Sequence, residues 1–192
     1  MKLFQIPGAI VIVGAAVLAG CATHTQTSDQ SSAAGSAAAK RRQTAVAVLS
    51  PSSSTANHPV RGQVTFMEET EGVRVTANIE GLTPGPHGFH IHEKGDCSAP
   101  DFTSAGGHFN PNQLPHGSPT DPQHHSGDFG NLEANQQGVA RYERVFSWLS
   151  FKGTNSIIDR AVIVHEKGDD LKSQPAGNAG ARLACGVIQQ TP

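Results

Sequence analysis

Two histidines on one face of a short strand constrain this chain more than any other feature. In Gly88-Phe89-His90-Ile91-His92 an extended backbone sends successive side chains to opposite faces. His90 and His92 therefore point one way, Phe89 and Ile91 the other. Two imidazoles side by side do not fill a core, but they do make sense as metal ligands held by rigid backbone. His87 falls on the face of Phe89 and Ile91 and reads as a hydrogen-bonded structural histidine.

Further nitrogen and oxygen donors follow. His108 sits in Gly106-Gly107-His108-Phe109-Asn110-Pro111, then come His116, His125 and Asp128, and His165 closes the apolar run Ala161-Val162-Ile163-Val164. Three histidines and an aspartate on a glycine- and proline-rich loop suit Zn²⁺, which takes four such ligands tetrahedrally. Imidazoles projecting from strands suit copper. Of the neighbours His124 and His125, the downstream Gly127-Asp128 favours His125 as the ligand. His24 and His58 lie in linker or turn sequence, and nothing gives either a role.

These motifs, together with His165-Glu166-Lys167-Gly168-Asp169-Asp170 and the segment from Gly177 to Gly186, resemble the copper/zinc superoxide dismutases over all but the N-terminal region. The resemblance implies one copper ion and one zinc ion per subunit. Copper would sit on His90, His92, His108 and His165. Zinc would sit on His108, His116, His125 and Asp128, with the His108 imidazolate bridging the two. Asp169 would tie a copper ligand to a zinc ligand, and Arg182 would dock the substrate anion, superoxide. The implied reaction is dismutation of superoxide to dioxygen and hydrogen peroxide by a copper redox cycle, with His108 and Arg182 as catalytic residues. A non-enzymatic metal carrier, or a barrel used only as a binding scaffold, would be free to lose a ligand or the arginine. None is missing.

The N-terminus speaks of location. Lys2 gives a basic start, Ala9 to Ala19 form a short apolar stretch, and Leu18-Ala19-Gly20-Cys21 ends it. That is a signal peptide rather than a membrane span. The small residues before Cys21 resemble a bacterial lipoprotein signal, which implies cleavage there and acylation of Cys21. An ordinary signal peptide cut a residue or two away is the alternative. Ala22 after the cysteine resembles an outer-membrane address. The expected product is exported and lipid-anchored in the cell envelope, at the outer membrane facing the periplasm. Residues 21–43 read as the lipidated cysteine and a disordered tether. Its terminal Lys40-Arg41-Arg42 is no basis for nucleic-acid binding. Lipidation of Cys21 leaves Cys97 and Cys185, which an oxidising compartment should join in a disulfide, as the resemblance also implies.

The rest is all-β. Strands are expected at 44–49, 60–66, 73–79, 87–92, 129–134, 139–146, 160–166 and 182–189, with a hairpin turn at Glu69-Thr70-Glu71-Gly72 and no helix of ordinary length. Long loops over 93–128 and 167–181 suit an eight-stranded antiparallel Greek-key barrel or sandwich. The chain thus divides into a signal peptide (1–20), a tether (21–43) and a superoxide dismutase domain (44–192). That domain carries ten Lys and Arg against fifteen Asp and Glu, a balance of −5. Such a surface repels an anion at long range, so attraction must be local. Lys172 is the only cation in Leu171–Gly177 and a candidate for steering. Phe146, Trp148, Leu149 and Phe151 form an apolar cluster that either covers a barrel end or buries itself in a partner. A homodimer is the expected state.

Overall fold

Alternation of apolar and polar residues decides the architecture. A computed structural model describes residues 42–55 and 59–192. The signal peptide, Cys21, the tether up to Arg41, His24 and His58 lie outside the described residues. The strands are β1 (Thr44–Pro51), β2 (Arg61–Glu69), β3 (Gly72–Glu80), β4 (Gly85–His92), β5 (Asp128–Ala134), β6 (Ala140–Phe146), β7 (Ala161–His165), β8 (Arg182–Val187) and β9 (Gln189–Gln190). β1 buries Ala45, Ala47 and Leu49, and β3 buries Val73, Val75, Ala77 and Ile79, while the residues between them face outward. The helices of the described residues are two single 3-10 turns, Ser53–Thr55 and Thr103–Ala105.

Strands run in the order β2-β3-β6-β5-β4-β7-β8-β1, and β1 pairs back onto β2, closing an eight-stranded antiparallel barrel. The steps from β3 to β4 and from β6 to β7 skip neighbouring strands, which gives the Greek-key path. The expected final strand, 182–189, is broken at Ile188. That residue leaves the ladder to exchange hydrogen bonds with the connection before β7: Ile188 N–H donates to the Arg160 carbonyl (2.8 Å) and Asp159 N–H to the Ile188 carbonyl (3.0 Å). β9 then resumes pairing on Ala45 and Val46. The β2–β3 hairpin is longer than its hydrophobic pattern suggests, with Glu69 paired to Gly72. Gly72 has φ 133°, and a Cβ there would strike the Phe146 main chain, so only glycine fits.

Aromatic packing fills the barrel. Phe129 stacks on Phe146 with ring centroids 4.5 Å apart, and Phe89 meets Phe129 edge-on at 5.4 Å. Phe146, Leu149 and Phe151 are buried in this same core and Trp148 packs against it. The apolar cluster of the β6–β7 connection therefore belongs to the barrel itself rather than to a partner.

Two irregularities in the ladders place the functional face. Between β4 and β5 the register shifts so that Gly88 faces Asn131 but His90 faces Asp128, one extra residue being taken up on β5. Between β7 and β8, Val164 faces Ala184 but His165 faces Arg182. Such bulges re-aim side chains. Here they set a histidine opposite Asp128 and another opposite Arg182. A separate bridge pairs His92 with His108. The Cys97–Cys185 disulfide, 88 residues apart in sequence, fastens the 93–127 loop to β8 beside Arg182. Closing a loop of that size contributes about 4.5 kcal/mol in the chain-entropy model.

Candidate metal centre

β4 is buried on both faces. Phe89 and Ile91 enter the core, and His90 and His92 lie beneath the two long loops, each 1% exposed or less. Across the ladders His165 comes from the end of β7, His108 from the 93–127 loop, and Asp128 from the start of β5. His116 and His125 reach in from the same loop as His108. One donor atom from each of His90, His92, His108 and His165 lies within 4.8 Å of the others, and the same holds for His108, His116, His125 and Asp128. His108 belongs to both nests.

Hydrogen bonds fix which nitrogen of each ring turns inward. His92 donates from Nδ1 to the Gly106 carbonyl (2.9 Å) and His165 from Nδ1 to the Gly180 carbonyl (3.3 Å), which leaves their Nε2 atoms in the nest. His90 is reversed: its Nε2–H donates to Asp169 Oδ2 (2.7 Å) and Nδ1 faces inward. His116 donates from Nε2 to Asp169 Oδ1 (2.9 Å). Asp169 thus joins a ring of one nest to a ring of the other. It is held in turn by Asn131, whose Oδ1 accepts its N–H (2.7 Å) and whose amide donates to its carbonyl (2.9 Å). Gly177 has φ 65°, and a Cβ there would overlap the Asp169 carboxylate. In the second nest Nδ1 of His108, His116 and His125 stand 2.8, 3.1 and 3.3 Å from the single oxygen Asp128 Oδ1. Its other oxygen accepts the N–H groups of His125 (2.8 Å) and Gly117 (3.1 Å).

This donor set fits metal ions. Among the described residues, eight buried side-chain polar atoms have no hydrogen-bond partner, and six are the inward nitrogens of His90, His92, His108, His116, His125 and His165. Each such atom left bare costs about 1–3 kcal/mol, a cost that metal ions accepting the lone pairs would remove. Burial pulls His92 and His165 well below the usual imidazole range and His108 down to about 3, so these rings are neutral ligands at ordinary pH. The N···O spacings around Asp128 match the edges of a tetrahedron with bonds of about 2.0 Å, which run to about 3.3 Å.

Arg182 stands at the rim of the first nest. Its guanidinium donates to the Phe102 carbonyl (2.7 Å) and to the Gly106 carbonyl (2.7 Å), the same oxygen that orients His92. Together with His92, His165, Asn110 and the 174–180 segment it lines a cleft of about 500 Å³. Arg182 is the one cation among the described lining residues. Lys172 is not among them; its main chain is tied to the Asp170 carboxylate. His87, behind the site, meets the His165 carbonyl at Nδ1 (2.8 Å) and the Thr83 carbonyl at Nε2 (2.8 Å). His124 donates to the His125 carbonyl (2.7 Å) and packs on Trp148, outside both nests. Residues that the sequence does not announce include Asn131 and Gln174. An asparagine inside a strand is the one available signal for the first. The carbonyls of Gly106 and Phe102 carry no side-chain signal at all.

The chain is similar to known proteins. A family model described as copper/zinc superoxide dismutase matches residues 60–188. The copper-zinc superoxide dismutase A of Xenopus laevis is 49% identical over 140 residues, covering 69% of this chain and 91% of that one. The crystal structure of the clock protein EA4 superposes with a TM-score of 0.68 at 43% identity, over 76% of this chain and 93% of that one.

The titration of the nests sets the pH profile of the metal-free protein. Below pH 6.5 the unfolded chain protonates histidines that the folded state keeps neutral at His92, His108 and His165. Stability therefore rises with pH from about 3 to 6.5, by about 1.4 kcal/mol per pH unit for each proton involved. His116 behaves oppositely. Burial opposes its charge, but the bonds to Asp128 and Asp169 outweigh burial and raise it to about 9, so its contribution is lost between pH 6.5 and 9. Urea titrations of the apoprotein should show maximal stability near pH 6.5, whereas a profile flat from pH 4 to 8 would contradict this charge assignment.

Proposed function

The chain belongs to the copper/zinc superoxide dismutase family, oxidoreductases that dismute superoxide with copper and zinc, and from that premise we propose which residues do the work and where. The observation that carries the assignment is the set of six partnerless imidazole nitrogens gathered in two nests that share His108. Copper would be held by His90, through Nδ1, and by His92, His108 and His165, through Nε2. Zinc would be held by His108, His116, His125 and Asp128. Bound there, copper supplies a one-electron couple and zinc, which has no redox chemistry, supplies fixed charge.

The chain's own residues capture the anion and handle protons. Two superoxide ions and two protons become dioxygen and hydrogen peroxide. Arg182 binds and orients superoxide: two of its N–H donors are spent on carbonyls, which fixes the planar fork and leaves the others for a small anion. His108 is the ring placed to hold a proton at Nε2 whenever that atom is free of copper, its Nδ1 being engaged on the Asp128 side. Asp169, by accepting from His90 and His116, keeps both rings in the tautomer that presents Nδ1.

The proposal extends to location and assembly. The signal-like N-terminus and Cys21 support an exported protein, lipid-anchored in a bacterial cell envelope, at the outer membrane facing the periplasm. The Cys97–Cys185 disulfide agrees with an oxidising compartment. Among the described residues no helix is long and apolar enough to cross a membrane; the proposed attachment is through acyl chains on Cys21. The domain boundaries at 20/21 and 43/44 follow from the same reading. A homodimer is supported by one face of mixed character: Val48, 67% exposed, lies with Val46 and Val187 along a groove of β1, β8 and β9 that Gln189, Gln190 and Thr191 also line.

Dismutation per bound copper, measured on the metal-loaded protein, should fall about 10- to 100-fold in Arg182→Ala as local attraction is lost, and more steeply in His165→Ala. Stoichiometric metal binding with negligible turnover in the parent would move the protein to metal storage. In cells, the activity should need detergent for release from membranes, and Cys21→Ser should make it soluble; a soluble parent would refute the anchor. The parent should sediment as a dimer and Val48→Glu as a monomer, and an unchanged coefficient would exclude that face.

A further inference from the structure

The hydrogen bonds between the two long loops converge on a single residue. Among the described residues, three hydrogen bonds join the 166–181 loop to the 93–127 loop, and all three end on His116. One is the ring contact to Asp169 already described. The other two come from the Gln174 carboxamide: its Oε1 accepts the His116 N–H (2.8 Å) and its Nε2 donates to the His116 carbonyl (2.9 Å). The same Nε2 also donates to the Lys172 carbonyl (3.2 Å), which sets the amide's orientation. A side-chain amide thus pairs through both of its polar atoms with the N–H and the C=O of one residue, as a residue of one strand pairs with its neighbour. Ring and main chain of His116 are pinned from one loop, and Gln174 also lines the cleft.

We propose that Gln174 is a positioning residue for zinc. It fixes the His116 main chain so that the ring cannot swing out of the second nest when the Asp128 contact loosens. The inference rests on the ligand assignment above. A ring held only at its far nitrogen by Asp169 can pivot about that contact and its own χ angles, whereas a ring whose Cα is also fixed must return to the same place. Gln174 therefore controls how long zinc stays rather than how the anion is captured. Its loss should be felt in zinc release before it is felt at copper.

The test follows zinc leaving the copper- and zinc-loaded full chain into a colorimetric chelator, with hydrogen exchange of the His116 amide as a second readout. Gln174→Ala should release zinc about 10-fold faster or more, the usual scale for losing a group that supports a metal ligand. Its His116 amide should lose protection, and copper affinity should stay unchanged. Gln174→Glu, nearly isosteric, keeps an acceptor for that N–H but loses the donors to the His116 and Lys172 carbonyls. It should speed release while leaving the amide protected. Ser173→Ala, a neighbour that touches neither His116 nor the nests, should behave as the parent. If His116→Ala abolishes zinc retention while both Gln174 variants release zinc at the parental rate, the role of Gln174 is refuted and the ligand assignment stands. If His116→Ala retains zinc as the parent does, the ligand assignment falls and this inference with it.

Discussion

One carboxylate, Asp169, receives imidazole N–H groups at both of its oxygens, one from each nest, and the site's geometry hangs on that contact. Accepting from Nε2 of His90 and of His116 forces each ring to turn Nδ1 inward. Without it either ring could flip, and a flipped ring offers a proton where a lone pair is required. Burial by itself favours the protonated carboxyl, but the hydrogen bonds from His116 and His90 overcome this and hold Asp169 below the ordinary carboxylate range. Asn131 and the space left by Gly177 keep the carboxylate where both rings can reach it.

The barrel's contribution is to make the site stiff where it must be and irregular where it can be used. Regular ladders through β2, β3 and β6 carry the core, and both register shifts fall beside the nests. Arg182 gains its position from the second shift, from the disulfide at Cys185 three residues on, and from two carbonyls of the loop that the disulfide anchors. The Gly106 carbonyl, shared between Arg182 and His92, ties the anion-docking group to a ring of the first nest through one atom.

Much of this was legible in the sequence because its signals are local. Period-two alternation located the strands at 60–66 and 73–79, short apolar runs between turn residues the others, and all eight fall within a few residues of their places. The spacing of His90 and His92 put both on one face, and Gly72 marked the hairpin. What the sequence hid is non-local. Nothing around Ile188 shows that it leaves its ladder, since the partners it chooses lie at Asp159 and Arg160. The second residue-level signal, a lone lysine at 172, pointed to steering, yet its loop folds so that this residue does not line the cleft. Main-chain acceptors such as Gly106 are invisible to any reading of side chains. Gln174 is ordinary in composition and matters only because of what stands opposite it.

The pairing that closes the barrel joins the two ends of the domain: β1 lies between β2 and the C-terminal strands, with Ala45 opposite Gln190. Closure must therefore wait for β8 and β9, the last strands of the domain. Long-range pairing of this kind is slow, because the entropy of ordering the intervening chain is lost before the contacts repay it. Until then β1, paired only to β2, and β7, which awaits β8, are raw edges, with unpaired N–H and C=O groups ready to accept a strand from another molecule. The vulnerable interval for this protein is thus its birth rather than its working life, and any change that delays arrival of β8 and β9 lengthens it.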